Sequence, residues 1–212
     1  KITQMAKFSS TTFGPISGRH GTAVAATTKD GKSYIRVYRA PSNPKTEKQV
    51  AHRSKFAYAN KALSCLGSLF KETFNSSRGK SLGVSYALKN AIIGEAPDFS
   101  VDFSNLVFTV GNVNQAINPV LTIDELNANL SWDFVAATNS KSQDCLNLIF
   151  FNEETQLSIH MKNVAQRGEK STTCILPEVW KGSTVYCWIY FSACSGDVAL
   201  NSTSQFVNSF EF

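Results

Sequence analysis

Arg36 stands between Tyr34 and Tyr38 in the run SYIRVYR. In an extended strand alternate residues share a face, so these three side chains point one way while Ile35, Val37 and Arg39 point the other. Cations that meet phosphates, with tyrosine rings that stack on bases, make a single-strand nucleic-acid surface. Arg19, Lys32, Arg39, Lys45, Lys48, Arg53 and Lys55 thicken the same region with positive charge. A solvated face, or pairing with an acidic protein surface, accounts for that charge equally well. A second aromatic set lies in TVYCWIYF, where Tyr186, Trp188 and Tyr190 face away from Val185, Cys187, Ile189 and Phe191. Rings at alternate strand positions repeat every ~6.6–7 Å, close to the size of a sugar ring. That face suits a carbohydrate or a protein partner if open, and packs against helices if covered.

Catalytic patterns do not emerge. Gly14, Gly18 and Gly21 match neither G-x-x-x-x-G-K-[ST] nor G-x-G-x-x-G, and read as turn positions or a pliant arm. His20, His52 and His160 stand outside H-x-x-x-H and H-E-x-x-H spacing. There is no G-x-S-x-G elbow and no C-x-x-C. The expectation is a non-enzyme with no catalytic residues, no metal and no cofactor. The five cysteines are Cys65, Cys145, Cys174, Cys187 and Cys194. They read as buried free thiols, or with one Cys145–Cys187 bridge across a sandwich.

The residues that carry charge are divided between the two halves of the chain. Residues 1–90 hold 16 Lys/Arg against three acids, a balance of +13, and residues 91–212 hold 5 against 13, a balance of −8. A segment so charged repels itself unless it meets anions. Nucleic acid, an anionic surface and the acidic half of another copy all qualify. Hydrophobic residues make up 42% of the 212, enough for a real core. No apolar run reaches the ~18 residues of a membrane span. The opening KITQMAKFSS has no signal-peptide core, which with the odd cysteine count favours a cytoplasmic or virion location.

These side chains need elements to position them. TAVAATT and SYIRVYR flank Lys29-Asp30-Gly31-Lys32, which predicts a hairpin over 19–39. Residues 8–21 read as a glycine-punctuated loop. Thr46 and Gln49 match a capping box, and Phe56, Ala59, Leu63, Leu66, Phe70 and Phe74 form one helical stripe. One helix over about 47–74 and a second over about 80–93 follow. VDFSNLVFTV reads as a strand. About seven further strands at short spacing then predict an antiparallel β-sandwich of immunoglobulin/fibronectin-III-like type, with Trp132 in its core. The fold class is α+β, with a basic α+β region over 1–114 and an acidic sandwich over 115–212.

Several ordered motifs carry a resemblance. They are Phe13-Gly-x-x-Ser-Gly-x-x-Gly-x-x-Val24, Asp30-Gly31-Lys32, Asn43-Pro-Lys-Thr-Glu-Lys-Gln49 with Arg53-Ser-Lys-Phe56, Ser85 to Ala91, and Leu176-Pro-x-x-Trp180-x-Gly182. The chain resembles an uncharacterised family of proteins of this length from Bacteroidota and their phages. That resemblance implies a common architecture and no assigned activity.

Three functional expectations follow. The first is a structural or interaction protein, a homo-oligomer or part of a larger assembly such as a virion or surface structure, joined basic half to acidic half. The second is nucleic-acid binding through Arg19, Lys32, Tyr34, Arg36, Tyr38, Arg39, Lys48, Arg53 and Lys55. The third is carbohydrate binding on Tyr186, Trp188 and Tyr190.

Overall fold

Strands β1 (Ala6–Phe8), β2 (Gly18–His20), β3 (Ala23–Thr27) and β4 (Ser33–Val37) form an antiparallel sheet in the order β1-β4-β3-β2. This is a computed structural model that describes residues 6–8, 17–40, 42–43, 45–193 and 200–212. The Asp-Gly turn closes the expected hairpin between β3 and β4. Thr28 and Lys32 are joined through backbone and side chain, and Gly31 supplies the positive φ of 75° that the turn requires. The stretch expected as a loop contributes β2 and the end of β1. Strands of three residues give too little alternation to be seen in a sequence. The chain divides into two compact units, residues 1–46 and 47–212, and this sheet belongs to the first.

The second unit opens with helices α1 (Glu47–Ala62), α2 (Gly67–Thr73) and α3 (Gly79–Asn90). The single helix expected over 47–74 is therefore two. At the break the Ser64 hydroxyl donates to Lys61 O at 2.8 Å, and i→i+3 backbone bonds run through Leu66 and Gly67. A serine that bonds its own backbone offers an alternative to the helical ladder. Leu63 and Leu66 stay buried through the break, so the apolar stripe runs on unbroken. The second expected helix ends early because β5 (Ile92–Glu95) pairs with β6 (Asp98–Val101) across a cis Ala96–Pro97 bond. The strand expected over VDFSNLVFTV does not form: only Val101, the last residue of β6, is in a strand, and a 3-10 turn follows at Phe103–Asn105.

The remaining strands are β7 (Ile117–Asp124), β8 (Asn127–Asp133), β9 (Cys145–Asn152), β10 (Leu157–Gln166), β11 (Ser171–Ile175), β12 (Thr184–Ser192) and β13 (Gln205–Glu211). They form two antiparallel sheets, β10-β9-β12-β13 and β11-β8-β7. Named A to G in chain order, this is A-B-E against C′-C-F-G, with the fourth strand paired to the third as in fibronectin type III domains. The architecture is α+β, as expected.

Two cores share the larger sheet. Leu146, Leu148, Phe150, Val185, Cys187, Ile189 and Phe191 point into the sandwich, where Trp132 and Trp180 join them. Ile149, Phe151, Trp188 and Tyr190 point outward and pack with Ala59, Leu63, Phe70, Val84 and Ala87 of the helical region. The central strands β9 and β12 are covered on both faces, which explains their near-continuous apolar sequence.

Cys145 is disulfide-bonded, whereas Cys65, Cys174 and Cys187 are free thiols. The Cys145–Cys187 bridge is thereby excluded, and the free-thiol reading fails for Cys145. Cys187 points into the sandwich core opposite Phe150, and it is Ser192 that stands opposite Cys145. Among the described residues no helix is long and apolar enough to cross a membrane.

Candidate functional site

The strand register assembles the basic cluster of the first unit. Arg19 pairs with Val24, and Val24 pairs with Arg36, so the two arginines lie in one cross-strand row on the same face. Tyr34 is two residues along the same strand and shares that face. Tyr38 continues the ladder by donating its N–H to Thr22 O at 2.7 Å. The Arg19 guanidinium carbon stands 4.0 Å from the Tyr38 ring centroid, and Arg19 Nε donates to Gly21 O at 3.0 Å. An exposed cation–π contact of this kind contributes about 0.5–1 kcal/mol, enough to favour one orientation of the guanidinium. Arg19, Arg36 and Tyr38 are exposed, and Tyr34 is half-buried. Lys32 is exposed in the hairpin turn, and Arg39 is exposed beyond the end of β4.

The opposite face carries Ala23, Ala25, Ile35 and Val37, with His20 in the Ala23–Val37 row and Thr27 beside Ser33 at the turn end. Among the described residues of the first unit only Ala25 is buried, and Val37 is 67% exposed. The sheet is therefore two-sided, basic and aromatic on one face and mostly uncharged and aliphatic on the other. Gly14, on the glycine-rich segment, lies outside the described residues, while Gly18 and Gly21 take positive φ as turn glycines do.

The rest of the basic set lies on α1, in the second unit. Lys48 and Arg53 are exposed. Lys55 is half-buried and, with His52, lines a groove of about 400 Å3 beside Glu95 and Phe99 of the β5–β6 hairpin. The nine candidate residues thus fall in two groups, one in each unit.

The aromatic strand face is covered, not open. Trp188 has no exposed surface and Tyr190 is buried. Phe108 meets Trp188 edge-on at 4.9 Å and Phe206 lies at 5.8 Å. Tyr186 is half-buried, stacked near Trp188 and Phe103, and donates to Glu153 Oε2 at 2.9 Å. The expected sugar platform presents no free ring at Trp188, because the helical core occupies it.

One polar cluster was not visible in the sequence. His160 Nε2 lies 2.9 Å from the Tyr190 hydroxyl, and its Nδ1 lies 3.4 Å from Glu72 Oε2. Lys162 Nζ meets Glu72 Oε1 at 2.5 Å. Burial lowers the His160 pKa, against the opposing pull of Glu72. Burial also raises the Tyr190 hydroxyl, so the group stays protonated. The cluster ties α2 to β10 through the Glu72–Lys162 ion pair and the Glu72–His160 contact, and β10 to β12 through the His160–Tyr190 hydrogen bond. Glu72 and His160 are too far apart in the chain for any spacing motif to join them. Among the described residues no three His, Cys, Asp or Glu side chains are placed to hold a metal ion.

The profile of a family of unknown function, DUF6266, matches residues 15–205, and the chain belongs to that family. No curated protein and no solved structure matches it.

Proposed function

We propose that this DUF6266 chain is a non-enzymatic assembly protein whose basic N-terminal unit engages an acidic partner surface. One observation carries this reading. Residues 1–46 hold eight Lys/Arg against the single acid Asp30, yet their sheet buries only Ala25 among its described residues. A small sheet with so little core gains its stability from a surface laid against it. Its charge makes that surface an anionic one. Residues 91–212, at −8, supply such a surface on every other copy. A homo-oligomer, or a component of a virion or surface structure of Bacteroidota or their phages, fits this design.

Charge-driven contacts between exposed groups weaken as salt shortens the Debye length. Sedimentation velocity at low and high ionic strength tests the reading. Oligomers at low salt that dissociate at high salt are expected. A monomer under both conditions, with no partner recovered from the native source, overturns it.

The shared face of Arg19, Arg36, Tyr34 and Tyr38 favours a second reading, binding of single-stranded nucleic acid. Its affinity would fall steeply with salt and depend little on sequence. A mobility shift with random single-stranded DNA at low salt, lost in Arg19→Glu/Arg36→Glu, supports it. No shift at micromolar protein removes it.

A further inference from the structure

Strand direction gathers the acids of the sandwich at one end. In the larger sheet Asn152 pairs with Leu157 and Val185, and Thr184 with Glu211. In the smaller sheet Asn127 pairs with Asp124 and Ile175. The β9–β10 turn, the start of β12 and the end of β13 therefore lie at one edge of the first sheet. The β7–β8 turn and the end of β11 lie at one edge of the second. Residues 167–170 join the sheets at the far end, so the 176–183 connection crosses at this one. Leu176 N–H donates to Leu126 O at 2.9 Å, Glu153 N–H to Thr184 O at 3.2 Å and Phe212 N–H to Ser183 O at 3.1 Å, which ties the end together.

This end exposes Asp124, Glu125, Glu153, Glu154, Glu178 and Glu211. Lys181 is its one cation in these segments and is already paired to Glu178 at 3.3 Å. Three large apolar side chains share the same end: Leu157 is 57% exposed, Ile175 69% and Val179 81%. Apolar residues ringed by like charge mark a protein contact surface.

We infer that this acidic end is where the N-terminal sheet of a second copy docks. The inference rests on the assembly reading above and names its contact. Arg19 and Arg36 meet the acidic ring, and the Tyr34 and Tyr38 rings cover the exposed aliphatic side chains. Complementary charge fixes the choice of partner, and the rings and aliphatics supply the buried area. Because the two surfaces differ, the contact is head-to-tail and repeats from copy to copy, giving a ring or an open chain.

A charge swap tests it on the full chain at low salt. Arg19→Glu/Arg36→Glu gives a copy in which the Arg19–Arg36 row of the sheet carries two carboxylates, like charge to the acidic sandwich end. Asp124→Lys/Glu125→Lys/Glu154→Lys/Glu211→Lys gives a copy whose sandwich end, with two acids left against five lysines, is turned basic. Each variant alone is expected to associate at least about tenfold more weakly than the native chain. An equimolar mixture is expected to assemble again, since the carboxylate row now meets the basic end and the unchanged basic row meets the acidic end. Restored assembly also shows that both variants are folded. If either variant alone assembles like the native chain, or the mixture stays monomeric, the inference is overturned while the assembly reading stands. If the native chain is itself monomeric, the assembly reading fails first.

Discussion

Arg167 Nε donates to Asp144 Oδ2 across 3.1 Å, and both side chains are almost wholly buried. The remaining guanidinium donors reach Asn114 O at 2.7 Å and Gln115 O at 3.3 Å, and the group lies 3.7 Å from the Phe191 ring centroid. Asp144 Oδ2 also accepts from Lys141 N–H at 2.9 Å. This network fastens the β10–β11 crossing to the segment that leads into β7. A buried pair contributes little net stability over an apolar replacement, but removal of one partner strands a charge. Asp144→Ala and Arg167→Ala are each expected to cost about 3–5 kcal/mol. The double variant Asp144→Leu/Arg167→Met is expected to cost less than either. Urea midpoints check both, and additive losses would show that the pair is uncoupled.

Gly83 is held by contact with Phe70. A Cβ at this position would come within 2.5 Å of the Phe70 ring, which has no exposed surface to retreat into. Helices α2 and α3 approach closely only because the side chain is missing. Gly83→Ala improves intrinsic helix propensity by about 1 kcal/mol, yet it overpacks the core at a cost of ~1–3 kcal/mol. Net destabilisation is expected, read as a lowered urea midpoint. Phe70→Leu in the same chain should restore part of the loss by making room. A stabilised Gly83→Ala chain would contradict the close approach.

How much of this was legible follows from where the causes lie. The seven sandwich strands were visible because alternation and turn residues are local. The break at Ser64 was hidden, because Leu63, Leu66 and Phe70 stay on one buried side through both helix and turn. Ile92 falls inside the helix expected over about 80–93, but its pairing with Val101 draws it into a strand. The alternation of Tyr186, Trp188 and Tyr190 was read correctly. Whether the face lay open was not readable, because Phe108 and Phe206 cover it from distant segments. The acidic end was equally hidden. Its residues stand in separate turns, and only strand direction brings them together.

The His160 cluster gives a defined pH dependence. Burial, then the nearby Lys162, holds the folded pKa of His160 below its ordinary ~6.5, against the pull of Glu72. The hydrogen bond from Lys162 holds Glu72 below the ordinary carboxylate range. In the window below pH ~6.5 the unfolded chain binds a proton at this histidine that the folded chain resists. Stability from His160 is therefore complete above that pH and declines as pH falls toward the folded value. Glu72 adds a further loss below its unfolded pKa of ~4.3. Urea midpoints from pH 7.5 to 5 should fall in the native chain and change less in His160→Gln. Equal slopes for the two proteins would count against the histidine.

Trp188 separates the packed face from the open one most directly. It has no exposed surface, and its indole N–H finds no hydrogen-bond acceptor among the described residues. Trp132 and Trp180 are buried as well, so none of the three tryptophans confuses the signal. Native fluorescence is expected to be blue-shifted and resistant to iodide, and to become quenchable only on unfolding. Trp188→Ala opens a cavity among Phe108, Phe206 and the helical core, at an expected cost of about 3–5 kcal/mol. Trp188→Phe keeps a ring there and removes the unpartnered N–H, so its cost should be clearly smaller. A Trp188→Ala chain as stable as the native one, or a tryptophan signal quenched by iodide before unfolding, would return this face to solvent and reopen it to ligands.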